Sequence, residues 1–173
     1  LSIQSPLDPI GDPFFALMEI LTVLIAPLMA LSMIAVHCYA SKEDKAYSLA
    51  ALLFMFIMAG ITSCVHFVIL SVGRHPFVDE IPGISFFIAF RWPSVVYALD
   101  ILAWDWFFAL SVLFAAPVFR GGRLEKTVRT VMIISGLLSL AGLIGVPFRN
   151  MQIRNIGIIG YAVVGPVVFL LIG

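Results

Sequence analysis

Residues 93–119 read PSVVYALDILAWDWFFALSVLFAAPVF. The charged side chains in this stretch are two carboxylates, Asp100 and Asp105, and the apolar residues follow one another without alternation. A strand wetted on one face would alternate polar and apolar positions. About 20 mainly apolar residues rising 1.5 Å each cross a hydrocarbon layer roughly 30 Å thick. The stretch therefore predicts a membrane-spanning helix, and one that carries two acids into oil.

Four more apolar runs flank it when the chain is cut at charges and turn residues. The five runs cover about 14–38, 47–73, 93–119, 127–146 and 155–173. Asp12-Pro13 offers a cap and first-turn proline to the first run. The turn Ser41-Lys42-Glu43-Asp44-Lys45 separates the first two, and Gly145 and Pro147 stop the fourth. The expected fold is an all-α polytopic bundle with five transmembrane helices, forming one transmembrane domain over 1–173. The long connection 74–92 holds the apolar stretch 84–90, too short to span, which reads either as a short interfacial or re-entrant helix anchored by Arg91 and Trp92 or as an ordered surface loop.

Composition agrees. Of 173 residues, 62% are hydrophobic and 12% charged, with a mean hydropathy of +1.11. Soluble domains carry about 25% charge, so a water-soluble globule is excluded. Ten basic against ten acidic residues give zero net charge, which leaves no basic stripe for nucleic acid. Cys38 and Cys64 fall near opposite ends of the first hairpin, so they are expected as unpaired packing residues. Residues 1–12 lack a basic start and carry Asp8 and Asp12, so no secretory signal is expected. A chain that opens on Leu1 and closes inside the run 167–173 is expected to continue beyond one or both ends, where a sixth span would return it outward.

Orientation follows from cations. One side, A, holds Lys42, Lys45, Arg120, Arg123, Lys126 and Arg129; the other, B, holds Arg74, Arg91, Arg149 and Arg154. The excess favours side A as cytoplasmic, with the N-terminus outside and residue 173 inside.

Lipid gives helices no hydrophobic reason to associate, so small residues that permit close approach take over. Ser135, Ser139 and Gly142 make such a face in the fourth run, and Gly157 and Gly160 in the fifth. Ionisable groups at membrane depth are costly, at roughly 2.5–3.5 kcal/mol each on insertion scales. Glu19, His66 and Asp100 each lie some five to seven residues from the side-B end of their runs, about 8–11 Å deep. Three helices thus bring ionisable groups to one level. Tyr97 and Trp104 share the helical face of Asp100, Tyr161 and Asn155 reach a similar level, and Arg91 is placed to overhang the rim as a counter-ion. Asp105 lies about 140° round the helix from Asp100 at about 100° per residue. It faces the fourth or fifth run, where Ser135 and Ser139 could donate to it, or a partner subunit. His37 reads as a solvated interfacial residue, and the methionines as packing.

Three functions fit this pattern. The polar residues Glu19, His66, Tyr97, Asp100, Asp105 and Arg91 form a pocket open to the non-cytoplasmic side that binds or transports a small polar or amphiphilic ligand, with proton coupling through carboxylate and imidazole. Alternatively, they are glue in an accessory or assembly subunit of a larger membrane complex. A third reading is an intramembrane enzyme on lipid-like substrates, with His66 as base or metal ligand, although no HExxH or CxxC spacing is present. The sequence implies no cofactor and no nucleic-acid partner. The expected surroundings are the lipid bilayer, with a homodimer if the protein transports, because alternating access commonly uses two repeats or two copies.

Overall fold

A computed structural model describes residues 11–173; the reading of residues 1–10, Asp8 included, lies outside them. Among the described residues every regular element is helical. Five helices among the described residues are long and apolar enough to cross a membrane: α1 (Phe14–Tyr39), α2 (Lys42–Ser71), α3 (Val95–Val118), α4 (Arg123–Gly145) and α5 (Met151–Ile172). The protein is a multi-pass membrane helix bundle. The connection between α2 and α3 holds a single helical turn, Ser85–Ile88, whose Phe86 and Phe87 stay exposed.

Each helix packs on the next in the chain. Met33, Met55, Met58, Met132, Phe108 and Val112 are fully buried between them, methionine being well suited to irregular gaps. Ser111 ties α3 to α2 by donating to the Ala51 carbonyl at 2.7 Å. At side A, Arg120 pairs with Asp44 at 2.6 Å, and Tyr39 donates to Glu125 at 2.8 Å. His37 is half-buried there and shares a 2.9 Å hydrogen bond with Ser48, so it joins α1 to α2 rather than standing free in solvent. Cys38 and Cys64 are unpaired, and both are exposed rather than packed inside.

The α4–α5 hairpin is closely packed through glycines. A Cβ on Gly142 would lie 2.6 Å from the Gly157 amide nitrogen, and one on Gly160 would lie 2.6 Å from the Ser139 amide nitrogen. Ser135 donates to the Gly160 carbonyl at 2.8 Å across the same seam. Small residues here do what the hydrophobic effect cannot do in lipid.

Two helices widen at matching places. Residues Leu102–Phe108 of α3 and Ile159–Val164 of α5 are π-helical. In α5 the wide turn directly precedes Gly165-Pro166, where proline offers no N–H to the ladder. The two wide turns face each other and carry Trp104, Asp105 and Tyr161.

Helix α5 starts one turn earlier than the apolar run suggests. Asn150 caps it, its side chain accepting from the Gln152 and Ile153 amides at 3.0 and 3.4 Å. That turn decides where Arg154 goes.

Candidate functional site

Glu19 sits in the second turn of α1, fully buried. Opposite it on α2, the His66 ring is held by its own two nitrogens: Nδ1 lies 2.6 Å from Glu19 Oε2, and Nε2 lies 3.4 Å from Asp100 Oδ1 on α3. The first contact is a hydrogen bond. The second is within ion-pair reach but leaves Asp100 Oδ1 without a hydrogen-bond partner, as is Glu19 Oε1. Three helices are thus joined through one imidazole, and each charge offsets part of the others' burial cost. With all three groups ionised, two negative charges face one positive.

Asp105 belongs to a separate cluster. Its Oδ2 lies 3.4 Å from Arg154 Nε on α5, and both side chains are sealed, at 0% and 2% exposure. The Arg154 guanidinium carbon stands 5.3 Å from the Tyr97 ring centre and 5.8 Å from that of Tyr161, within cation–π range. Its Nη1 also approaches the Tyr97 hydroxyl at 3.4 Å. Gly157 makes room for the carboxylate, since a Cβ there would collide with Asp105 Oδ1. Ser135 spends its hydroxyl on α5 backbone, and Ser139 Oγ has no partner, so the serines do not serve Asp105.

The structure therefore brings Glu19, His66 and Asp100 together, and places Tyr97 beside Arg154 rather than in that triad. Arg91 is exposed, lining a shallow hollow with Ser85 and Trp92, and makes no ion pair among the described residues. Asn155 is exposed and bonds Gln152. Sequence reasoning missed Arg154, which it left in the side-B loop. The signal was Asn150, a good N-cap that puts Arg154 inside the helix.

A groove of about 730 Å³ runs between α1 and α5. His66, Asp100, Phe90, Trp104 and Tyr161 line its polar end, and Ile25, Leu28, Phe169 and Leu170 its length. A second hollow of about 800 Å³ continues it towards Tyr39 and Glu125 at side A, the two sharing Ser32 and Phe169. Among the described residues no three His, Cys, Asp or Glu side chains are grouped to hold a metal. The reason is visible at His66, whose two nitrogens serve carboxylates on opposite edges of the ring, so the donors do not converge.

Searches of protein-family models, curated proteins and solved structures find no match to this chain.

Proposed function

We propose that the protein binds a single-chain amphiphile in the groove between α1 and α5, its head against His66 and Asp100 and its tail running towards side A. The observation that carries this reading is a buried acid, Asp100, that lines the end of an otherwise mainly apolar groove. Ligand sites are largely apolar clefts with a few placed polar groups that fix orientation. The groove follows α1 from Met18 to Ser32, a length of about 21 Å at 1.5 Å per residue, enough for a long alkyl chain.

The polar end opens towards side B. With Arg154 drawn into the bundle, six cations at side A stand against three at side B. This supports side A as cytoplasmic, the N-terminus outside and access from the non-cytoplasmic half of the bilayer. Proton-coupled transport extends the same reading, the Glu19–His66 hydrogen bond being the proton-exchange path. The glue reading is favoured for the Asp105–Arg154 pair alone, because it is sealed.

Trp104 lines the groove and reports on it. A 12-carbon amphiphile brominated along its tail is titrated into protein in nanodiscs while tryptophan fluorescence is followed. Saturable quenching is expected, mostly lost in Trp104→Phe. Ser32→Phe, which narrows the groove where its two parts meet, is expected to weaken binding by about tenfold, or about 1.4 kcal/mol. Linear quenching, equal in all three proteins, overturns the proposal.

A further inference from the structure

Resting on that amphiphile reading, we infer that the head group bound at the His66–Asp100 end is a cationic amine. The Asp100 side chain is 7% exposed and lines the groove; Oδ1 is sealed against His66 Nε2 at 3.4 Å, which leaves Oδ2 as the oxygen towards the groove. An acceptor on so buried a side chain is costly until a donor meets it.

The charges around it point one way. From α1 comes Glu19, from α2 His66, from α3 Asp100 itself, and from α5 Tyr161, a neutral phenol. Arg154, the nearest cation, is occupied elsewhere: it points at Asp105 and is flanked by the rings of Tyr97 and Tyr161. Lys and Arg side chains are absent from the residues lining the groove. His66 supplies at most one positive charge against the two carboxylates it touches. An incoming ammonium completes the balance. A carboxylate or phosphate would add a like charge to a poorly screened site, and an alcohol would fill the hydrogen bond but leave the surplus charge.

Aromatic rings complete the site. Trp104 and Tyr161 stand 5.2 Å apart between ring centres, and Phe90 lies 5.5 Å from the His66 ring. All three line the groove beside Asp100. Tyr161 already packs against Arg154, so Trp104 and Phe90 are the rings left beside the carboxylate, and aromatic rings attract ammonium heads through their quadrupole. The side-A hollow differs, since its acid, Glu125, already accepts from Tyr39 and from the Gly121 amide.

The experiment holds the tail constant and varies the head. Dodecylamine, dodecyltrimethylammonium, dodecanol and dodecanoate compete against the brominated probe in nanodiscs of zwitterionic lipid, with empty discs correcting for partition. Dodecylamine is expected to compete at least about tenfold better than dodecanol, which is about 1.4 kcal/mol; dodecyltrimethylammonium, which carries the charge but no N–H donor, is expected to fall between them, and dodecanoate to compete worst. Asp100→Asn is expected to bring amine and alcohol together, each read relative to that variant's own probe affinity. Dodecanol or dodecanoate matching the amine overturns the head-group assignment and leaves groove binding standing, as does an unchanged amine preference in Asp100→Asn. Failure of all four, together with linear probe quenching, overturns the amphiphile reading itself. Should Asp100→Asn not fold, the wild-type head series decides alone.

Discussion

Asp100 and Asp105 stand five residues apart on one helix, and their surroundings differ in kind. Each keeps carboxylate oxygen without a hydrogen-bond partner, but Asp100 meets an imidazole at arm's length and borders a groove. Asp105 meets a guanidinium inside a sealed seam, under a glycine that leaves it room. Both are buried acids with a cationic or ionisable partner. What separates them is access: one cluster borders space that another molecule can fill, the other borders only protein. Burial and pairing do not by themselves distinguish a site from a strut.

That contrast breaks most sharply at Arg154. Arg154→Met leaves Asp105 as an uncompensated buried charge and is expected to cost about 3–5 kcal/mol, read as a collapse of the thermal midpoint in detergent. Combining it with Asp105→Leu is expected to recover the wild-type midpoint or better, as removal of a whole buried pair often does. A single Arg154→Met protein as stable as wild type would show that the pair is no strut.

Gly157→Ala comes next, since its methyl would meet the Asp105 carboxylate; overpacking of this kind costs about 1–3 kcal/mol. Gly60→Ala is the matched control, because open space surrounds its added Cβ on exposed α2. It is expected to stabilise by up to about 1 kcal/mol. The two midpoints should therefore move in opposite directions.

Asp100→Asn is expected to shift the midpoint by no more than about 1 kcal/mol, since it is nearly isosteric and removes charge from an acid with an unserved oxygen. Its loss appears in head-group preference instead. A large drop in midpoint with preference intact would reverse the roles of the two clusters. Arg91→Ala is the smallest test: with no ion pair among the described residues it should stay within about 0.5 kcal/mol in stability and leave binding unchanged.

The five spans were legible because bilayer thickness imposes a length and oil forbids scattered charge, so residues 93–119 could hardly read otherwise. Glu19, His66 and Asp100 were legible for the same reason: depth can be counted from helix ends, and costly groups at one depth tend to compensate each other. The groove was not, because a gap between α1 and α5 depends on how neighbours pack rather than on what any residue is. Arg154 escaped because an apolar run shows where oil begins, while a helix begins at its cap, here Asn150. The wide turn in α3 has no proline to announce it, and periodicity carried through Leu102–Phe108 at the ordinary α-helical step misplaces the residues beyond.

Arg154 lies in the first turn of α5, close enough to the bilayer surface for a long cationic side chain to reach headgroups. It turns inward instead. The salt link therefore acts as a depth stop: it fixes how far the last helix sinks, and with it the height at which Tyr161 meets Trp104. A chain in which that anchor is released would let α5 ride upward, so its first symptom should be altered solvent labelling of residues near Asn150 before any loss of helix content.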